Sequence, residues 1–295
     1  MAADKPLDLV GNTPLVELRN MQRRGEATIL AKLEMFNLSG SIKDRIVKYI
    51  VERAERTGAL KKDQVIVEAT SGNTGIALST ICIAKGYRVK VVMPESATEE
   101  RRRIIKSSGA ELIPVEDEYK AIRLAEKLAE DEGGFLLNQF GSPLNVEAHY
   151  MTTAEEILNQ SGGEIDAFVC GIGTGGTITG TGRRLKEYSR EIEVVGCEPE
   201  VQTRIGGLLN FTDSNYKPPI LDLSIIDEVV RVRDDDAFQM VREIARREGL
   251  LVGPSSGAVM HVAMRKAEEL GEGKRIVVIF ADGGARYLSS GIFSQ

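Results

Sequence analysis

The chain has 295 residues, of which 42% are hydrophobic and 28% charged, and its net charge is −6. This composition is typical of a globular protein with a sizeable core, and the acidic balance argues against nucleic acid as the main partner. No apolar run reaches the roughly 18 residues that a membrane span needs. The N-terminal residues show no charged start followed by a long apolar block, so we expect no secretory signal and a cytoplasmic location.

Histidine and cysteine are too scarce for several common kinds of site. The two histidines, His149 and His261, exclude a multi-histidine metal site and disfavour a Ser-His-Asp triad. The three cysteines, Cys82, Cys170 and Cys197, form no CxxC pair and lie in or beside apolar runs, so we expect them to be reduced and buried. We therefore expect no metal, and any chemistry should depend on a borrowed cofactor.

The predicted elements alternate between short β-branched strands and amphipathic helices. Strands are predicted, in chain order, at residues 29–34, 65–68, 88–93, 111–115, 135–137, 166–171, 193–197 and 275–280. Helices are predicted at residues 43–56, 75–85, 98–108, 118–131, 152–160, 176–189, 234–248 and 256–270. Such alternation predicts an α/β fold with mostly parallel sheets covered by helices on both faces. A loop at residues 138–150 is the expected crossing between two sub-domains.

The strongest chemical signal is a glycine-rich turn between a strand and a helix, at residues 171–177 with the sequence GIGTGGT. Glycines let the backbone approach a ligand, and N–H groups at a helix N-terminus then bind an anion. Thr174 and Thr177 add hydroxyl donors, so a phosphate is the expected guest. One alternative is a turn that binds no ligand. Another is a dinucleotide fingerprint, but the mid-chain position of the motif disfavours it. A Walker loop is excluded because no GK[ST] follows.

Two other strand-to-helix turns carry polar groups. Residues 68–75, EATSGNTG, offer hydroxyls, one amide and glycine-freed N–H groups, which suit a carboxylate or a phenolic oxygen. Residues 253–257, GPSSG, precede another predicted helix. Because Ser, Gly and Asn are ordinary turn formers, either segment taken alone could be a turn without a ligand.

Lys43 would stand at the N-terminus of a predicted helix. The helix dipole disfavours an ammonium group there and lowers its pKa, which favours an amine nucleophile or a base. Taken alone, Lys43 could also be a solvated lysine in the first turn of the helix.

Six motifs occur in the order found in one protein family. They lie at residues 11–15, 40–45, 70–77, 173–177, 255–258 and 286–289. Over about residues 8–293, the chain resembles the pyridoxal-phosphate cysteine synthase (O-acetylserine sulfhydrylase) and cystathionine β-synthase family. The resemblance implies a tryptophan-synthase-β-like fold (fold type II), an α/β fold of two three-layer domains with mostly parallel sheets. The larger cofactor-phosphate-binding domain would comprise residues 1–42 plus 149–295, and the smaller mobile substrate-loop domain residues 43–148.

The resemblance also implies a role for each motif. Lys43 would hold pyridoxal 5'-phosphate as a Schiff base and act as the catalytic base. Asn73 would hydrogen-bond the phenolic oxygen of the cofactor, and Ser255 would face its pyridine nitrogen. The cofactor phosphate would be bound by Gly173, Thr174, Gly175, Gly176 and Thr177, and the substrate α-carboxylate by Thr70, Ser71, Gly72, Thr74 and Gln139.

Within the family the chain is most similar to the B type, because the stretch 203–221 is short and residues 280–285 read FADGGA. The implied activity is a β-replacement that makes L-cysteine from O-acetyl-L-serine and sulfide through an α-aminoacrylate intermediate, in a homodimer. One alternative is an O-phosphoserine sulfhydrylase, possibly with a protein-thiocarboxylate sulfur donor and with Arg204 as the phosphate ligand. The others are a cystathionine β-synthase or serine dehydratase-type lyase and a non-catalytic homologue.

Several charged groups are expected to play only structural roles. Residues 101–103 and 183–184 are arginines that we expect on solvated helix faces. Residues 234–236 are aspartates that we expect to cap the helix that follows. His149 is expected to be a packed surface histidine, with a supporting position behind the site residues as the alternative.

Overall fold

The computed structural model describes residues 4–214 and 216–293. The strands are β1 (Leu15–Glu17), β2 (Thr28–Leu33), β3 (Val65–Ala69), β4 (Arg88–Pro94), β5 (Glu111–Val115), β6 (Phe135–Leu136), β7 (Ala167–Gly171), β8 (Glu193–Pro199), β9 (Glu228–Val232) and β10 (Arg275–Phe280). The helices are α1 (Lys43–Thr57), α2 (Asn73–Ala84), α3 (Glu99–Ser107), α4 (Glu118–Asp131), α5 (Pro143–Ala148), α6 (Glu155–Ser161), α7 (Gly176–Tyr188), α8 (Asp234–Glu248) and α9 (Pro254–Leu270). A π-helical segment, His149–Ala154, joins α5 to α6.

The strands form two separate sheets. The larger sheet has six strands in the order β1-β2-β10-β7-β8-β9, and all its pairs are parallel except β1 with β2. The smaller sheet has four parallel strands in the order β5-β4-β3-β6. Because the carboxyl ends of parallel strands share one edge, the loops that leave them are brought together.

Each sheet is covered by helices on both faces. Successive residues of β10 alternate: Ile276 packs into a core beneath α8 and α9, and Val277 packs into another beneath α6 and α7. In β3, Ile66 packs toward α1 and α2, whereas Val67 packs toward α4. Strands buried on both faces explain the continuous apolar runs in the sequence. The predicted fold class is confirmed.

The structure differs from the predicted elements mainly at sheet edges and at the crossing. Strands β1 and β9 were missed because they are short edge strands whose residues are mostly exposed or half-buried. The loop predicted at residues 138–150 is wrong from Pro143 onward, where α5 begins with a proline in its first turn. Proline is favoured at that position because the first helical N–H has no partner in any case.

The other structural expectations are mostly confirmed. Cys82, Cys170 and Cys197 are buried, free thiols. The expectation that residues 234–236 cap α8 is wrong, because the N-cap residue is Arg233 and the three aspartates form the first turn, where their charges still favour the helix dipole. Among the described residues, no helix has the length and apolar character that a membrane crossing requires.

Candidate active site

The glycine-rich turn leads directly from β7 into α7. Gly175 is the N-cap residue of α7 and has a φ of +85°, in the left-handed region that favours glycine. A Cβ on Gly173 would lie 2.4 Å from the carbonyl oxygen of Gly207, and one on Gly176 would lie 2.0 Å from Oδ1 of Asn145. Only glycine fits at these two positions. The turn therefore presents backbone rather than side chains at the N-terminus of a helix, which is the geometry of an anion site.

Buried side chains orient the two threonines of this turn. Asn145 donates a hydrogen bond to Oγ1 of Thr174 at 3.1 Å. Oγ1 of Thr177 lies 3.1 Å from Nε2 of His149, whose Nδ1 lies 2.9 Å from Oγ1 of Thr153. The expectation of a surface histidine is wrong, since His149 is only 1% exposed. Burial holds the pKa of His149 well below its ordinary value, so the ring is neutral and can exchange hydrogen bonds with both threonines.

Lys43 is the first residue of α1 and faces the cavity into which the glycine-rich turn opens. The preceding residue is held beside the carboxyl end of β10, because the N–H of Ile42 donates to the carbonyl oxygen of Ala281, the residue after β10, at 2.9 Å. Burial lowers the pKa of the Lys43 ammonium group. A lysine with a lowered pKa has more of its amine in the neutral form, which can attack a carbonyl or accept a proton.

Asn73 belongs to a polar cluster that sequence reasoning did not identify. Its Nδ2 donates to Oδ2 of Asp282 at 2.7 Å, and its Oδ1 accepts from Arg286 at 2.5 Å. Tyr287 donates to the same Asp282 oxygen at 2.6 Å. The Asp282 carboxylate is 1% exposed, and its Oδ1 has no hydrogen-bond partner among the described residues. The Arg-Tyr motif was recognised in the sequence, but nothing there indicated that it folds back onto Asn73.

The predicted carboxylate-binding residues come together from two parts of the chain. The Thr74 hydroxyl donates to Oε1 of Gln139 at 2.6 Å, and the N–H of Gly72 donates to Oγ1 of Thr70 at 3.1 Å. Asn145 donates to the carbonyl oxygen of Gln139 at 2.8 Å, in addition to its bond with Thr174. One buried amide thus connects this loop to the glycine-rich turn.

A cavity of about 590 Å³ lies between these groups. Seven of the predicted site residues line it: Lys43, Asn73, Gly173, Thr174, Gly175, Thr177 and Ser255. Gly176 and the five predicted carboxylate ligands lie outside this lining. Ser255 is in the first turn of α9 and is 7% exposed. The cavity can therefore hold an anion at the glycine-rich turn. For a ring attached to that anion, Asn73 and Ser255 offer an amide and a hydroxyl as hydrogen-bond partners, and the Lys43 amine lies beside them.

The described residues contain no group of three or more His, Cys, Asp or Glu side chains that could hold a metal ion.

The arginines expected on solvated helix faces do not all lie there. Arg101 is 8% exposed, and its guanidinium carbon lies 4.9 Å from the centre of the Tyr287 ring. Arg204 is exposed and pairs with Asp234 at 3.3 Å.

The chain belongs to the family of pyridoxal-phosphate dependent enzymes, whose family model matches residues 7–282. It is 43% identical to a cysteine synthase of Staphylococcus aureus over 306 aligned positions, which cover 99% of each chain.

Solved structures of relatives share the whole fold. A hydrogen sulfide-producing enzyme from Fusobacterium nucleatum is 38% identical, with a TM-score of 0.92 over 97% of this chain and 100% of that one. The cysteine synthase of Entamoeba histolytica is 36% identical, with a TM-score of 0.93 over 100% of this chain and 92% of that one.

Proposed function

We propose that the protein binds pyridoxal 5'-phosphate and makes L-cysteine from O-acetyl-L-serine and sulfide. The observation that carries the proposal is the position of Lys43, which faces the same cavity as the glycine-rich turn and has a pKa lowered by burial. The cysteine synthases among its relatives support the choice of reaction.

The residues fit the cofactor. The N-terminus of α7 and the hydroxyls of Thr174 and Thr177 would bind its phosphate, together with Gly173, Gly175 and Gly176. Asn73 would hydrogen-bond the phenolic oxygen, because its amide is held in place by Asp282 and Arg286. Ser255 would face the pyridine nitrogen. When bound, the cofactor supplies an electron sink for the carbanion at Cα of the substrate.

The other steps belong to side chains of the protein. Thr70, Ser71, Gly72, Thr74 and Gln139 would bind and orient the substrate α-carboxylate. Lys43 would take the proton from Cα, and acetate would leave with the electron pair of the Cβ–O bond. Hydrosulfide would then form the Cβ–S bond, and Lys43 would return the proton to Cα.

A serine opposite the pyridine nitrogen has a chemical consequence. The Ser255 hydroxyl would not protonate this nitrogen as a carboxylic acid would, so negative charge at Cα would be delocalised less into the ring. That favours expulsion of a β-leaving group over transamination.

The assembly is proposed on family grounds. We propose a cytoplasmic homodimer in which residues 43–148 form the smaller, mobile domain and residues 1–42 plus 149–295 the larger one. Movement of the small domain would close the 70–74 loop over the carboxylate and exclude water. Light scattering on the cofactor-loaded protein tests the dimer.

The absorbance spectrum of the purified protein, before and after addition of O-acetylserine without sulfide, tests the proposed function. We expect a visible band from the lysine-bound cofactor, and we expect O-acetylserine to shift this band to longer wavelength. A band that does not respond to O-acetylserine contradicts the acetyl leaving group and makes O-phosphoserine and serine the next substrates to try. No visible band after incubation with pyridoxal phosphate would contradict the enzyme itself and favour a non-catalytic homologue.

A further inference from the structure

A second cavity of about 1060 Å³ lies beside the proposed cofactor cavity, and Gly206 borders both. Three arginines line it, Arg101, Arg204 and Arg242, with Asp235 as the only acid among its described lining residues. We call this cavity the arginine pocket. Its excess of positive charge indicates an anionic ligand.

Two arginines of this pocket have no counter-ion among the described residues: Arg242, which donates to the carbonyl oxygen of Ile292 at 3.0 Å, and the more deeply buried Arg101. Arg101 forms no ion pair with any described residue, and its buried Nε has no hydrogen-bond partner. Oγ1 of Thr98, also in the pocket, is buried without a partner as well. In contrast, Arg204 pairs with Asp234, and its side chain is 72% exposed. Because burying an unpaired charge is costly, the two unpartnered groups indicate a ligand that satisfies them.

Arg101 stands between the predicted carboxylate loop and the wall of the cofactor cavity. Its Nη1 donates to the carbonyl oxygen of Ser71 at 3.3 Å. Its guanidinium carbon lies 3.5 Å from the position of a Cβ on Gly72, and its Nη2 lies 3.6 Å from the position of a Cβ on Gly206. Because Gly206 borders both cavities, an anionic group that extended from the cofactor cavity past Gly206 would meet this guanidinium.

We propose that the arginine pocket is an oxyanion subsite in which Arg101 and Thr98 bind a phosphate group. A guanidinium presents a planar fork of N–H donors that matches two phosphate oxygens at once. The phosphate is either the leaving group of an O-phosphorylated serine or free inorganic phosphate. The inference rests on the proposed function and narrows its substrate class. It also replaces Arg204, the residue predicted from the sequence, by Arg101 as the main phosphate ligand.

With an O-phosphorylated serine, the reaction keeps the same balance of bonds. The Cβ–O bond breaks and its electron pair leaves on the phosphate, while hydrosulfide forms the Cβ–S bond. Arg101 would stabilise the charge that develops on the departing phosphate.

Binding is tested on the cofactor-loaded protein, in which the cofactor's own phosphate site is filled. We expect millimolar inorganic phosphate to raise the Tm of the wild type by about 2 °C or more, through preferential binding to the folded state. Arg101→Gln should abolish this rise. The matched control is Arg103→Gln on the same helix, whose side chain is 78% exposed and paired with Glu99. It should keep the rise.

Kinetics separate the two sources of phosphate. We expect Arg101→Gln to lower kcat/KM for O-phosphoserine by about 10- to 100-fold, because a hydrogen bond to a charged group is lost. The value for O-acetylserine should fall by a clearly smaller factor, because the uncharged acetyl group loses no ionic hydrogen bond, while any loss through the Ser71 contact is common to both substrates. Arg101→Lys, which keeps the charge without the fork, should lie between the wild type and Arg101→Gln for O-phosphoserine. It also serves as the test if Arg101→Gln does not fold.

The outcomes are distinguishable. Equal losses with both substrates, or an unchanged phosphate effect on Tm in Arg101→Gln, would overturn the subsite. Phosphate binding that needs Arg101, without turnover of O-phosphoserine, supports the subsite with free phosphate as its ligand. A cofactor-loaded protein that turns over neither substrate contradicts the proposed function, and the Tm measurement still decides the subsite.

Discussion

Burial sets the protonation state of the groups around the cofactor cavity. It lowers the pKa values of Lys43 and His149 and raises that of Cys170 to about 12. All three changes favour the uncharged form. A lysine whose pKa is lowered, beside the proposed anion-binding turn, is suited to both tasks proposed for Lys43, since attack on a carbonyl and removal of a proton need the free amine.

Replacing Lys43 by alanine tests its two roles together. We expect kcat/KM to fall by about 10³-fold or more, because the general base and the covalent anchor are both lost. The visible absorbance of the lysine-bound cofactor should disappear in the same variant. Lys61→Ala, an exposed position, should keep both activity and absorbance. A Lys43→Ala variant with more than a tenth of wild-type activity would show that another residue is the base.

The residues of the site differ in how well the sequence predicts them. The glycine-rich turn could be proposed as an anion site from a few local residues, whereas the role of Lys43 could be proposed only through the resemblance to a family, since taken alone it could be a solvated lysine. Asp282, His149 and Arg101 were not assigned roles, since each acts through contacts with distant parts of the chain. A lone aspartate or arginine carries no sign of burial in its own sequence. Only the folded arrangement shows that these side chains are partners of the site.

At the level of elements, the site depends on close approach between helices and turns. Helix α5 lies so near α7 that a Cβ on Gly180 would lie 2.2 Å from the carbonyl oxygen of Val146 in α5. Gly176, one turn earlier in α7, faces the Asn145 amide in the same way. The glycines of α7 therefore do more than form the turn, because they allow α5 to pack against the helix that carries the anion site.

We expect Gly176→Ala to weaken cofactor binding at least tenfold, because the new methyl group would displace Asn145 or shift the start of α7. Displacement of Asn145 would also break its hydrogen bonds to Thr174 and to the Gln139 carbonyl oxygen. Titration of the cofactor-free protein with pyridoxal phosphate, followed by the visible absorbance of the lysine-bound cofactor, measures the change. Unchanged affinity would show that α5 can move away without affecting the turn.

The buried carboxyl group of Glu68, near the end of β3, makes the free energy of unfolding depend on pH. Burial raises its pKa to about 8, whereas the carboxyl in the unfolded chain has the ordinary value of about 4.3. Between these values the folded protein holds the extra proton, so this group makes the free energy of unfolding fall as pH rises. The slope is up to about 1.4 kcal/mol per pH unit.

Glu68→Gln should remove this contribution, because the amide keeps the shape and does not titrate. We expect denaturant titrations between about pH 5 and pH 8 to show a flatter dependence for this variant than for the wild type. Glu130→Gln, at an exposed position of α4, should leave the slope unchanged. Parallel curves for wild type and Glu68→Gln would contradict a carboxyl that is protonated in the fold.

Over the whole molecule, a buried ionic network joins distant elements. Arg45 of α1 contacts Glu34, which follows β2, at 2.6 Å and Glu156 of α6 at 2.6 Å. Lys32 of β2 also contacts Glu156, at 2.7 Å. Although burial alone would raise it, hydrogen bonds from Arg45 and Lys32 lower the pKa of Glu156 to about 2. The network therefore fastens α1, whose first residue is Lys43, to the larger sheet.

Arg45→Ala leaves the buried Glu34 carboxylate without its salt bridge and leaves Glu156 with Lys32 alone. We expect the free energy of unfolding to fall by about 3–5 kcal/mol, measured by denaturant titration. Arg53→Ala, on an exposed face of the same helix, should change it by less than about 0.5 kcal/mol. A small effect of Arg45→Ala would mean that water or a shifted lysine replaces the guanidinium.

The general architecture was predictable from the sequence, but the arrangement of strands was not. Alternation of β-branched runs with amphipathic helices indicated parallel sheets, because only strands buried on both faces are apolar throughout. The division into six and four strands depends on which strands pair across more than a hundred residues, as β2 does with β10. No local pattern records such a pairing. The resemblance to a family implied the fold type but not which strands pair.

The three buried thiols can be used as probes of local unfolding. The chain has no tryptophan, so the usual intrinsic fluorescence signal is lacking. Cys82 lies in the core of the smaller sheet, whereas Cys170 and Cys197 lie on strands of the larger one. Burial raises the pKa of each thiol, so an alkylating reagent reacts only after the surrounding core opens. The order in which peptides carrying these cysteines become labelled therefore reveals which sheet opens first.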